Sequence, residues 1–453
     1  MNLIQALRLN SKMSVALVGA GGKSTALFDL ARNYTQTIWL TTSTHLSLEQ
    51  IAQAEVHIQL SENSLDGVNL DLKTRKILFT GPLTEDGSRY KGPTIEQLDW
   101  LGEHAASLDI PLIIEADGAR RLPLKAPGEH EPVIPKWCNL VCVCAGLSGI
   151  NQPLDADHVY RPVEFSKLSG LQMDQKISPQ AIVQVLLSPL GGLKNIPPKA
   201  KKVCFLNLAD SAELRATAGE MAEELLNSYE AVIIASQMLS ETLAGLENPA
   251  PQSDNVYTVI EKTAGIILAA GGATRMGRSK ALLEWHKKPF IIHCVIQALQ
   301  AGLNPVVVIA GDNYEVLKEL LINYPVQLLH NPDWKNGQSS SIRLAVDSIK
   351  DKVGAAIFEL VDQPQIPADL LNSLKTAHYK NLAPIIAPLV DGKRANPVLF
   401  DRASFPELLK LQGDVGGRAL FSKFPVEYLG WLDERILLDV DTEADYQKLL
   451  ETN

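Results

Sequence analysis

Cysteine is scarce in this chain: Cys138, Cys142, Cys144, Cys204 and Cys294 are the only five, an odd number with no framework spacing. That excludes a disulfide-stapled architecture. Long apolar runs are also missing; no stretch approaches the roughly 18 residues of a membrane-spanning helix, so no membrane partner is expected. A basic excess is absent as well. Lys and Arg number 42 against 52 Asp and Glu, a formal charge of −10, which leaves no basic stripe for nucleic acid. The opening MNLIQALRLNSKMSVALVG lacks a signal-peptide cleavage pattern, and a cytoplasmic protein is the expectation. No repeat relates one half of the sequence to the other.

What is present has the balance of a globular protein, 46% hydrophobic and 21% charged. At 453 residues the chain exceeds one ordinary core, and two domains of roughly 200 residues each are expected. β-branched apolar runs alternate with helical patterns throughout, the signature of parallel α/β architecture. Strands are expected at 14–19, 37–41, 76–80, 111–115, 140–145, 202–207, 231–235 and 256–260, with helices at 23–33, 95–107, 179–187 and 212–229. The stretch 236–262 turns rich in Pro, Ser and Asn, a linker composition. A second series starts at 265–270 and continues with helices at 289–301, 313–322, 340–349 and 367–378 and strands at 305–310, 326–329 and 354–360. The expected fold class is therefore α/β with two doubly wound domains, 1–260 and 262–453, each opened by a strand and a glycine loop.

Cys142 and Cys144 form C-x-C in the run LVCVCAG, on one face of a strand. Small buried strand residues are the simplest reading. A metal-, sulfur- or selenium-handling pair is the alternative, because the spacing is tighter than that of usual zinc sites.

The most informative segment is GIILAAGGATRMGRSK (265–280). A buried strand opens into a Gly-rich loop whose amides, around Leu268, Ala269, Ala270, Gly271 and Gly272, can approach phosphates closely. Arg275 and Lys280 supply positive charge. Three further segments fall at strand ends or helix starts: NGQSSSI (336–342), VDQP (361–364) and DVDT (439–442). Ser339, Ser340 and Ser341 read as nucleotide-binding groups at a helix start near 340, or as a plain cap. Asp362, beyond the buried run AAIFELV, reads as a Mg²⁺ ligand or a turn residue. Asp439 and Asp441 share one strand face, so either adds a second oxygen; Asp441 alternatively caps the last helix.

These segments resemble the molybdenum cofactor cytidylyltransferases and their guanylyltransferase relatives. The resemblance covers essentially residues 264–453: LAAGGATRMGRSK (268–280), DQP (362–364), DGKRANPVLF (391–400), GDVGGR (413–418) and DVDTEADY (439–446). Ala395 stands where the family has glycine. The DQP triplet resembles the CTP-using branch. What the resemblance implies is a Rossmann-like nucleotidyltransferase fold and transfer of CMP from CTP to the terminal phosphate of molybdopterin, with pyrophosphate released. On that basis Lys280 and Arg275 are assigned to the triphosphate. Asp362, with Asp439 or Asp441, is assigned to Mg²⁺, and Arg394, Asn396 and Asp414 to the pterin acceptor.

In the N-terminal half, SVALVGAGGKST (14–25) is a strand, a glycine turn and a helix start with P-loop logic. Gly19, Gly21 and Gly22 shape the turn, Lys23 reaches phosphates, and Ser24 or Thr25 takes Mg²⁺, although the loop is shorter than GxxxxGK[ST]. PLIIEADGAR (111–120) ends a strand in Glu115 and Asp117, which can contact the metal through water. CFLNLAD (204–210) offers Asn207 and Asp210 to a base, with ATP or GTP the expected ligand. PLKAPGEHEPVIP (123–135) and DHVYRP (157–162) are dense in His, Glu and Arg for mere spacers. With these motifs, residues 10–235 resemble the selenium-dependent molybdenum hydroxylase accessory family. That resemblance implies an apo molybdenum hydroxylase as partner. Two other readings stay open: a nucleotidyltransferase acting on another phosphate acceptor, and a nucleotide-gated chaperone that delivers cofactor without catalysis.

Overall fold

The computed structural model describes residues 1–60, 76–236, 255–271 and 278–451. The chain divides into two compact units, Met1–Ile260 and Glu261–Asn453.

The first unit is built on a nine-stranded sheet. Its strands are β1 (Ser14–Gly19), β2 (Ile38–Thr42), β3 (Val56–Gln59), β4 (Lys76–Thr80), β5 (Leu112–Glu115), β6 (Leu140–Gly146), β7 (Lys201–Asn207), β8 (Ala231–Ala235) and β9 (Val256–Glu261). They lie in the order β9-β8-β7-β6-β1-β5-β2-β4-β3. Every pairing from β3 across to β8 is parallel. β2, β5, β6 and β8 are buried along their whole length, as expected for a sheet covered on both faces. Cys142 and Cys144 sit inside β6, and all five cysteines are free and buried. Burial pushes the thiols of Cys138 and Cys204 up, which fits inert packing residues. β1 is central, between β5 and β6. The chain leaves it toward β2 on one side and later returns to β6, β7 and β8 on the other, which makes its carboxyl end a topological switch point. Helix α1 (Lys23–Asn33) starts there.

The second unit holds an eight-stranded sheet of β10 (Thr263–Ala269), β11 (Val306–Ala310), β12 (Gln327–His330), β13 (Ala355–Leu360), β14 (Ile385–Val390), β15 (Lys393–Arg394), β16 (Val398–Asp401) and β17 (Val426–Gly430). The order is β12-β11-β10-β13-β16-β14-β15, with β17 pairing β14. β10 to β13 are mutually parallel, whereas β16 runs antiparallel to both β13 and β14. The unit is thus Rossmann-like with a mixed far half, which corrects the expectation of a plain doubly wound sheet. Pro388 inside β14 and the turn-rich 391–397 masked these strands, because proline cannot donate to a ladder. One face packs helices α2 (Phe290–Gln300) and α3 (Ala368–Asn381) over Ile267, Val308 and Ile357; the other packs α4 (Gln338–Ile349) over Ile266, Ile309 and Phe358. Leu268 lies opposite Leu360 in register, so the loops after β10 and β13 leave the sheet side by side. Among the described residues no helix is long and apolar enough to cross a membrane.

Candidate active site

In the second unit, Leu268 and Ala269 finish β10, Ala270 is buried beyond it and Gly271 is exposed. Gly272 and Arg275 lie outside the described residues. Lys280 opens a short 3₁₀ turn, Lys280–Leu282. Its Nζ lies 2.9 Å from Asp362 Oδ2 and 2.5 Å from Asp441 Oδ1. Burial alone would lower this ammonium, but the charges of Asp362 and Asp441 outweigh it and hold it above the ordinary lysine value. Asp362 keeps Oδ1 buried without a hydrogen-bond partner. Asp439 is turned elsewhere: Oδ1 accepts from Gln363 Nε2 at 2.6 Å. Burial, then the charges of Asp362 and Asp441, raise its carboxyl. The Val440 amide donates to the Asp362 carbonyl at 3.1 Å, which ties DVDT to DQP. The last helix, Glu443–Glu451, is preceded by Thr442, whose Oγ1 accepts from the Asp445 amide. Asp441 is therefore not the cap.

Among the described residues no group of three or more His, Cys, Asp or Glu side chains is arranged to hold a metal. Asp362 and Asp441 nevertheless fit Mg²⁺ as that ion is met in nucleotide enzymes, through one or two carboxylates plus substrate phosphates. The unpartnered Oδ1 of Asp362 is the oxygen such an ion would need.

The serine segment is placed differently from expectation. α4 starts at Gln338, two residues before 340, behind Gly337 at φ +96. A Cβ on Gly337 would stand 2.5 Å from Asp414 Cα. Asp414 Oδ1 accepts from the Gln338 amide at 3.2 Å, so Asp414 caps this helix from GDVGGR. Ser339, Ser340 and Ser341 are all buried. Ser339 Oγ donates to the Gly413 carbonyl at 2.6 Å, and Asn331 Nδ2 donates to both Ser340 and Ser341. The serines anchor the helix start to neighbouring loops, and a cavity of about 340 Å³ opens beside it, lined by Asn336, Ser339, Arg343, Lys410 and Gln412. Arg394 is exposed on β15 over the Phe421 ring, and Asn396 Oδ1 accepts from Arg418 at 3.3 Å. Ala395 is buried; the left-handed residues of its turn are Asp391 and Gly392. Gln363, Asn331 and Arg418 are site-forming residues that sequence reasoning passed over, although Gln363 and Arg418 lie within its motifs.

In the first unit Gly19, Gly21 and Gly22 take φ +90, +79 and +113. A Cβ would meet Cys144 O at 2.2 Å from Gly19 and Gly146 N at 2.4 Å from Gly21, so only glycine fits. Lys23 begins α1 and folds back: Nζ donates to the Gly19 carbonyl and lies 3.2 Å from Asp117 Oδ1. Burial would lower this ammonium, but Asp117 and Glu115 outweigh it and raise it. Ser24 Oγ donates to Glu115 Oε2 at 2.8 Å, and Thr25 follows in the first turn. Glu115 is pushed up by burial. The structure thus joins the glycine loop to the end of β5. Asn207 instead braces the loop, donating to the Gly21 carbonyl at 2.9 Å, while Asp210 accepts from Ser236. Asn207 Nδ2 is thus spent on the loop, while Asp210 is exposed. Beyond Asp117 the charges alternate: Lys125 lies 2.8 Å from Asp117 and 2.7 Å from Glu131, which is 2.8 Å from Arg161. The segments 123–135 and 157–162 therefore converge on the loop.

Comparison with known proteins matches residues 15–163 to the family described as YqeC protein and residues 265–428 to the MobA-like NTP transferase domain. The uncharacterized protein YqeC of Escherichia coli (strain K12) is 30% identical over 217 residues, 47% of this chain and 82% of that protein. The molybdenum cofactor cytidylyltransferase of the same organism is 23% identical over 182 residues, 40% of this chain and 92% of that protein. Among solved structures, Rv0371c from Mycobacterium tuberculosis H37Rv is 26% identical, covering 43% of this chain and 99% of its own, with a TM-score of 0.40. The resemblances drawn from the motifs fall on these same segments. The chain belongs to the YqeC family through its N-terminal half and carries a MobA-like NTP transferase domain in its C-terminal half.

Proposed function

We propose that the C-terminal domain transfers CMP from CTP to the terminal phosphate of molybdopterin and releases pyrophosphate. The observation that carries this reading is the meeting of Lys280, Asp362 and Asp441 where the loops after β10 and β13 emerge together. The DQP triplet and the likeness to the E. coli cytidylyltransferase support CTP and the pterin acceptor. An attacking phosphate is already ionised near neutral pH, so the site needs no strong general base. Its oxygen attacks the α-phosphorus, the bond to the β-phosphate oxygen breaks, and pyrophosphate leaves. Lys280 and Arg275 neutralise the triphosphate and the leaving group, while amides of 268–272 and the start of α4 hold the nucleotide. Arg394, Asn396 and Asp414 border the acceptor side. Mg²⁺ held by Asp362 with Asp441 or Asp439 would supply charge neutralisation at the α-phosphate.

The N-terminal domain is proposed to bind ATP or GTP in a short P-loop. Gly19, Gly21 and Gly22 form the turn, Lys23 meets phosphate, and Ser24, Glu115 and Asp117 stand at the metal side. The two activities would serve, in the cytoplasm, the maturation of an apo molybdenum hydroxylase, selenium-dependent by resemblance. Pyrophosphate release by the full chain with each NTP, with and without molybdopterin, tests the reading. CTP- and pterin-dependent release supports it; GTP-only release overturns the base assignment, and silence with every nucleotide overturns the activity.

A further inference from the structure

Two of the three aspartates of the C-terminal site are held by contacts other than Lys280. Val440 ties Asp362 to the DVDT backbone, and Gln363 holds Asp439. Lys280 brings to them a point charge on a four-carbon stem. Its ammonium sits between Asp362 and Asp441, at 2.9 and 2.5 Å, where a cation serving both carboxylates would be. Asp362 and Lys280 are three-quarters or more shielded from solvent, so separating them without compensation is costly.

We propose that Lys280 is the resident cation of this site before nucleotide arrives, so that the site takes its divalent ion together with a triphosphate and not as a free ion. Asp362 Oδ1 alone offers a free ion one unpartnered oxygen; to be shared by both carboxylates, that ion would have to displace the Lys280 ammonium that already pairs with them. A triphosphate draws Lys280 onto its own oxygens, and Asp362 and Asp441 are then left uncompensated until a divalent ion joins them. Linkage makes the effect reciprocal: nucleotide tightens metal, and metal tightens nucleotide. The inference rests on Asp362 and Asp441 as metal ligands in the function proposed above.

The test is Mn²⁺ binding to the full chain, followed by the paramagnetic resonance of free Mn²⁺, with and without α,β-methylene-CTP. The C-terminal site is defined as the Mn²⁺ lost in Asp362→Asn. We expect the analogue to tighten that site about tenfold or more in the unsubstituted chain. Lys280→Met should tighten it about tenfold without nucleotide and lose most of the coupling; Lys280→Gln serves should the Met variant fail to fold. Unchanged or weaker nucleotide-free Mn²⁺ binding in the Lys280 variant overturns the proposal. If Asp362→Asn removes no Mn²⁺ even with the analogue present, the ligand assignment beneath it fails instead.

Discussion

Glu359 lies within β13, three residues before Asp362, with Oε1 buried and unpartnered; burial pushes its carboxyl up to about 8 from 4.5. In the folded chain it holds its proton at neutral pH, whereas the unfolded chain gives it up. The linkage sign is that of a raised acid. Stability of this unit should fall as pH rises from about 4.5 to about 8, by about 1.4 kcal/mol per unit within that window. Glu359→Gln removes the titration, so the variant should lose less stability than the unsubstituted chain in urea unfolding between pH 5 and 8. At the site itself, Asp362→Ala should cut transfer by roughly a hundredfold or more while the domain still folds, because Lys280 keeps Asp441 as a partner. Lys280, Asp362 and Asp441 were legible because charged residues at the ends of apolar runs stand out. Glu359 was not, since one acid inside AAIFELV carries no sign that its neighbours shut water out. The roles of Asn207 and Asp414 were hidden for another reason: their partners are 186 and 76 residues away.

The turn between β1 and α1 is the element most constrained by its sequence. Gly19→Ala would put a methyl group 2.2 Å from the Cys144 carbonyl at φ +90. The left-handed backbone alone costs about 1–2 kcal/mol, and the backbone clash adds to it. Gly87→Ala is the matched control: φ is +68 and nothing lies within 4 Å, so only the conformational cost applies. Denaturant unfolding should therefore show a larger loss at Gly19. In the second unit, His378 of α3 and Asp401 of β16 form a fully buried pair at 2.7 Å. His378→Ala should cost about 3–5 kcal/mol, because it takes the ring partner of Asp401 Oδ2 out of a fully buried site. The regular elements of the parallel sheets were readable to within a few residues, since buried runs and caps mark them. Val56–Gln59 was not, being only half-buried at the sheet edge. Nor were the strands after residue 384, where Pro388 and a change of strand direction break the β-α alternation.

At the scale of the molecule, each unit has a core of its own, one around Val141 and Val143 and the other around Ile267 and Val308. Calorimetry of the full chain should accordingly show two transitions. Gly19→Ala should lower one and His378→Ala the other; a single transition moved by both would contradict separate folding. The glycine loops announced both units in the sequence, because each follows a first strand. In the function proposed above, the transfer falls to one cluster, Lys280 with Asp362 and Asp441. The most direct measurement is pyrophosphate release by the full chain with Mg²⁺, CTP and molybdopterin, alongside Asp362→Ala. The account predicts release that needs both substrates and disappears in the variant. Equal release by Asp362→Ala, or none from the unsubstituted chain, would contradict it.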